Sequence, residues 1–116
     1  MADVRDTLKA KLINYLSSKG FTDILFYEDA LRLGFLADMR IAGRKVDCIA
    51  SLNGQRYAFI IRTLSTYRKT WARDLLGTFP VHFTKVYFVV PAHIYDRAFS
   101  IIRHWGLLKY IDILPL

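Results

Sequence analysis

The dipeptide Asn53-Gly54 stands between two strand-like runs, Lys45 to Leu52 and Arg56 to Thr63, and constrains the fold more than any other feature of the chain. A two-residue turn between strands needs positive φ at both central positions. Asn and Gly tolerate this, so the pair marks a tight β-hairpin. The turn also sets the register: Leu52 pairs with Gln55, Ser51 faces Arg56, Ile49 faces Ala58, and Asp47 faces Ile60. Side chains alternate along a strand. Asp47, Ile60 and Arg62 are therefore expected on one face of the sheet, with Cys48, Tyr57, Phe59 and Ile61 on the other.

The other periodicities set the frame around this hairpin. Val4, Leu8, Leu12, Tyr15 and Leu16 recur at helical spacing between Asp3 and Lys19, and Gly20 supplies a stop. Residues Ile24 to Leu33 fit a short strand, a loop or a turn of helix. Leu36 to Ile41 reads as a strand that reaches Lys45 through Ala42-Gly43-Arg44. Ser65 caps a second helix, with Trp71, Leu75, Leu76 and Phe79 on one side, that stops at Pro80. The run "VYFVV", Val86 to Val90, has the unbroken apolarity of a central strand covered on both faces. Pro91 opens a third helix along Tyr95, Ala98, Phe99, Ile102 and Trp105, with Gly106 as its stop. The tail from Leu107 to Leu116 adds a short strand or packs as an extended arm. The order is α-β-β-β-α-β-α: an α/β fold with a mixed central sheet flanked by helices.

A chain of 116 residues without repeats or linkers reads as one domain, residues 1–116. Its hydrophobic fraction of 53% suffices for a packed core. No apolar run approaches the roughly 18 residues of a membrane span. The first residues mix charges at once, and Cys48 is the sole cysteine, so the expectation is a cytoplasmic protein with no internal disulfide and no membrane partner. Seventeen Lys and Arg against ten Asp and Glu leave a net charge of +7. A compact basic domain implies a polyanionic partner, nucleic acid first. Asn and Gln are scarce, which leans toward a thermophilic source.

The helix, the three-stranded meander with Asp47 on its second strand, and the helix and strand that follow resemble the restriction-endonuclease-like nuclease superfamily. The small archaeal Holliday-junction resolvases are similar in size and element order. The resemblance implies a three-layer fold and a metal-binding Asp on the second strand, with an acid-x-Lys motif on the third. Asp47 matches the Asp, Arg62 falls at the lysine position, and Ile60 stands where the acid belongs. These departures carry chemistry. Isoleucine offers no ligand to a divalent ion. Arginine stays protonated and cannot act as a general base, but its guanidinium can clamp a phosphate through two parallel hydrogen bonds.

Two other acids compete to rebuild a site. If the first hairpin turns at Ala42-Gly43, Asp38 lies opposite Asp47, and the two carboxylates need a cation between them. If it turns at Gly43-Arg44, Arg40 lies opposite Asp47 in an ordinary ion pair, which is the favoured register. Glu28 is the third acid within reach. Arg68, Lys69 and Arg73 on the second helix, with Arg62, form a basic strip for phosphates that Arg40, Arg44, Lys45 and Arg56 extend. The histidines, His82, His93 and His104, have no spacing for shared ligation.

Three readings follow. The first is a DNA-binding domain with a decayed nuclease site and no cofactor. The second is an active endonuclease or junction resolvase, holding Mg²⁺ or Mn²⁺ through Asp47 with Asp38 or Glu28. The third is a structural subunit forming a homodimer through exposed aromatic side chains.

Overall fold

A computed structural model of the chain describes residues 4–34, 40–41, 44–62, 83–104, 106, 108 and 111–116, with the backbone alone at 40, 41, 44 and 45. The expected second helix, Ser65 to Phe79, lies outside these residues, as do Asp38, Arg68, Lys69 and Arg73.

The first helix, α1, spans Val4–Ser18 and buries Leu8, Leu12 and Leu16, three leucines at successive four-residue steps. Val4, counted on that stripe by its spacing, is instead exposed. Gly20 ends the helix at φ +85°, and the Phe21 N–H donates back to the Leu16 carbonyl at 3.0 Å. This is a glycine-terminated helix end that satisfies an otherwise orphaned carbonyl.

The ambiguous segment after it resolves into β1, Thr22–Phe26, followed directly by α2, Tyr27–Leu33. Two short strands, β2 (Arg40–Ile41) and β3 (Arg44–Lys45), then form a separate two-stranded ribbon. The described end of the expected strand, Arg40–Ile41, therefore lies in the ribbon, and β1 takes the first place in the main meander.

The main sheet contains β1, β4 (Cys48–Leu52), β5 (Gln55–Ile61), β6 (Lys85–Val90) and β7 (Ile111–Pro115), in that spatial order. The β1–β4 and β4–β5 pairs are antiparallel, whereas β5–β6 and β6–β7 are parallel. The β4–β5 register is the one the turn dictates, from Leu52 opposite Gln55 to Cys48 opposite Phe59. Asn53 and Gly54 have φ of +53° and +78°. Pro91 is followed by a short 3-10 turn, Ala92–Ile94, and by α3, Tyr95–His104, with Gly106 at φ +73° just beyond. The tail adds a strand, β7, instead of forming a loose arm.

The sheet is apolar on both faces. One face joins Ile49, Ala58, Ile60, Val86 and Phe88 to Ala30 of α2 and Ile102 of α3. The other joins Cys48, Ala50, Phe59, Ile61 and Val89 to the leucines of α1. The β4–β5 hairpin thus carries an apolar layer on each side, where the alternation had put a charge of each sign on one. No helix among the described residues is long and apolar enough to cross a membrane.

Candidate functional site

Asp47 is the only charged or polar residue in the buried set among the described residues, at 6% exposure. It does not lie within β4. A bend at Val46 and Asp47 breaks the predicted strand into β3 and β4, and this bend reverses the alternation. Val46 packs in the layer of Ile49 and Ile60, although two-residue periodicity from Cys48 assigns it to the α1 side. The continued register would set residue 46 opposite Ile61, a pair whose backbone groups exchange hydrogen bonds. The bend removes that backbone partner, and the Asp47 side chain replaces it. Its Oδ2 accepts the Ile61 N–H at 2.8 Å, while the Asp47 carbonyl accepts the N–H of Tyr27 at 2.9 Å.

Arg5, on the first turn of α1, completes the arrangement. One guanidinium nitrogen donates to Asp47 Oδ1, and the other lies 3.4 Å from the Ile61 carbonyl oxygen. The Arg5–Asp47 pair thus engages both backbone groups of Ile61 that the bend left without a ladder partner. Burying a carboxylate this deeply needs both a counter-charge and hydrogen bonds, and both are present.

One turn along α1, Lys9 Nζ lies 3.2 Å from Glu28 Oε2 and 5.1 Å from the centroid of the Phe26 ring. Two cations four residues apart on one helix therefore pair with Asp47, the acid the resemblance offered as a metal ligand, and with Glu28, the third acid weighed for the site. Cys48 sits beside this cluster, and its thiol pKa is pushed up to about 12, first by burial and then by the Asp47 charge. It is a buried filler with no nucleophilic character at neutral pH.

Comparisons with family models, with curated proteins and with solved structures gave no match.

Of the remaining sequence-predicted residues, Ile60, Arg62 and Arg56 are described with their side chains, and Arg40, Arg44 and Lys45 by their backbone. Ile60, at the acid position of the motif, is 2% exposed within the α3-side core, and it does not share a face with the Asp47 carboxylate as alternation implied. Arg62 is half-buried just past the end of β5, and its N–H donates to the Val89 carbonyl at 2.8 Å. The ribbon pairs Arg40 with Lys45 and Ile41 with Arg44. This is the register of a turn at residues 42 and 43, not the favoured Gly43-Arg44 one, so Arg40 does not face Asp47, whose ion-pair partner is Arg5; Asp38, which this register was expected to set opposite Asp47, lies outside the described residues. Arg56 is exposed at the other end of β5, with its guanidinium 5.4 Å from the Phe83 ring centroid.

Among the described residues, no three His, Cys, Asp or Glu side chains form a metal-binding group. Of the three acids weighed as ligands, Asp47 and Glu28 are paired with Arg5 and Lys9, and Asp38 lies outside the described residues; Ile60 supplies no oxygen. Sequence reasoning missed Arg5 and Lys9. Their signal was that Arg5, Leu8, Lys9 and Leu12 continue one helical stripe, so the helix brings two cations to the surface its leucines cover.

Proposed function

We propose that this chain is a nucleic-acid-binding domain, for DNA first, on a restriction-endonuclease-like frame whose reaction centre is taken up by internal ion pairs. The frame is supported by the antiparallel trio β1, β4 and β5, by β6 lying parallel to β5, and by Asp47 at the head of the middle strand. One observation carries the functional reading. The two described acids of the candidate centre, Asp47 and Glu28, are held by Arg5 and Lys9, yet the whole chain keeps a net charge of +7. The cations serve structure at one place and remain in excess elsewhere. Cations left in excess on a surface attract phosphates and displace their counterions.

The test is binding and cleavage of labelled duplex, single-stranded and four-way-junction DNA, with Mn²⁺ or with chelator. Affinity is expected to be independent of metal, and to fall about a hundredfold between about 50 and 200 mM salt, with no product. Mn²⁺-dependent product that disappears in a folded Asp47→Asn variant overturns the reading in favour of the nuclease. Asn is the better substitution than Ala, because its carbonyl oxygen still accepts the Ile61 N–H. Absence of binding to every substrate overturns it in favour of a structural, dimerising subunit.

A further inference from the structure

Most lysines and arginines whose side chains are described hold a partner inside the chain. Arg5, Lys9, Arg32 and Lys85 pair with Asp47, Glu28, Asp29 and Asp112. Lys11 donates to the Leu116 carbonyl at 3.1 Å, Lys19 lies 5.7 Å from the Tyr15 ring centroid, and Arg56 lies 5.4 Å from that of Phe83. Arg62 is half-buried and engaged as well. Two arginines depart from this pattern. Arg97 and Arg103 are exposed, and among the described residues neither holds an acid, a carbonyl or a ring. Both lie on α3.

That helix divides its residues by face. Ala98 and Ile102 are buried, whereas Asp96, Arg97, Ser100, Arg103 and His104 are exposed. At 3.6 residues per turn these exposed positions share one arc opposite Ala98 and Ile102, and from Arg97 to Arg103 the arc rises roughly 9 Å. Asp96 sits at its N-terminal margin, where the helix dipole favours an acid. Beyond Asp96, every side chain on the arc can donate a hydrogen bond and none is acidic. The dipole also favours cations in the last turn, which holds Arg103 and His104. It opposes a cation near the start, so helix stability accounts for Arg103 and not for Arg97.

We infer that this arc of α3 seats the phosphate backbone of a nucleic-acid duplex, with Arg97 and Arg103 on separate phosphates and Ser100 and His104 donating beside them. The inference rests on the nucleic-acid-binding reading above and gives it a surface of its own. The chemistry of the arc selects the occupant. A protein partner is held by apolar or aromatic anchors desolvated at the middle of the interface, and the arc offers none. A second copy of the chain would also set like charges together. Phosphate contacts need no such anchor. Stacked bases would favour a single strand, but no Phe, Tyr or Trp stands on the arc among the described residues; Tyr95 and Phe99 lie on its other side, 5.9 Å apart between centroids. Charge is what remains. A duplex carries one negative charge per about 1.7 Å of its axis, twice the density of one strand, so a span of roughly 9 Å meets several phosphates. Such contacts carry no sequence information.

The experiment measures fluorescence anisotropy of two labelled duplexes of unrelated sequence and about 20 base pairs, and of one of their single strands, at about 50 and 200 mM salt. The wild-type chain is expected to bind the two duplexes within about twofold of each other, and at least fivefold more tightly than the single strand. Arg97→Gln combined with Arg103→Gln should weaken duplex binding tenfold or more and shrink the log–log salt slope by about 2. Asp96→Asn should tighten duplex binding about twofold by removing a like charge, a gain that loss of structure does not produce. Lys19→Gln, an exposed change just past the end of α1, should bind within about twofold of wild type. Circular dichroism and urea midpoints verify that each variant is folded. If the wild type binds but the double variant binds equally well, the contact lies elsewhere and only this inference fails. A single strand bound as tightly as the duplex also overturns it. Polyglutamate that displaces the duplex at equal charge concentration overturns it in favour of an acidic protein. A wild type that binds no nucleic acid overturns the function as well as the surface.

Discussion

Ile60 is the residue at which family pattern and physical setting separate most clearly. By the motif it stands for a metal-binding acid, but it is 2% exposed and packed with Val46, Ile49, Val86 and Phe88. A carboxylate there is cut off from water, and Arg5 and Lys9 are already paired with Asp47 and Glu28. Writing the acid back is therefore expected to break the fold before it makes a site. Ile60→Glu should cost about 4 kcal/mol or more in urea unfolding, by burying an unpaired charge. It should also leave Mn²⁺ binding undetectable by calorimetry. A folded variant that binds Mn²⁺ with wild-type stability would refute this. The count back from the turn holds as far as Cys48 and fails at Asp47, where the bend changes the face. The partner of Asp47 was not legible, because Arg5 lies 42 residues away and leaves no local trace of the pairing.

At the scale of elements, legibility follows the strength of the local signal. The β4–β5 hairpin was readable because Asn53-Gly54 admits one tight turn, and β6 because five successive apolar residues fit only a covered strand. β1 was not readable, for a physical reason: its pairing slips by one residue between Thr22 and Leu25, and Asp23 there adopts φ +53°. A bulge with a left-handed aspartate interrupts the alternation by which a strand is recognised. It also turns the edge strand away from regular pairing, a common protection against edge-to-edge association. The bend at Val46-Asp47 hid a second break in the same way. Asp23 is exposed, so backbone strain should dominate the effect of replacing it. Asp23→Gly is expected to change stability by less than about 0.5 kcal/mol, whereas Asp23→Val should cost about 1–2 kcal/mol because a β-branched residue resists this region. Equal urea midpoints for the two variants would show that the bulge is not held in the left-handed conformation.

For the whole molecule, the sequence predicted a basic domain with a mixed sheet, and the described residues place that sheet between two apolar layers, with Asp47 buried at its margin. One consequence is a stability that depends on alkaline titration. Three groups have their proton affinity raised in the folded chain: Cys48 by burial, Tyr87 by burial, and Lys85 by its hydrogen bond to Asp112. All three act with one sign. The native state holds each proton to higher pH than the unfolded chain does, so stability is full below the unfolded values and falls as pH rises. Cys48 sets the lower edge of the window, since its ordinary value is 9.0 and its folded value is about 12. Lys85 and Tyr87 join from 10.5 and 10.0 upward. Each proton that only the native state retains removes up to about 1.4 kcal/mol of stability per pH unit. Urea unfolding should therefore give a plateau up to about pH 8.5, just below the thiol's unfolded value, and then a steady decline. Cys48→Ala removes the first of these groups and replaces the thiol with another small apolar side chain. Its stability should stay flat until about pH 10, where the tyrosine and lysine take over. A decline that begins at the same pH in the variant and the wild type would remove Cys48 as the cause and leave the burial of its thiol without energetic consequence.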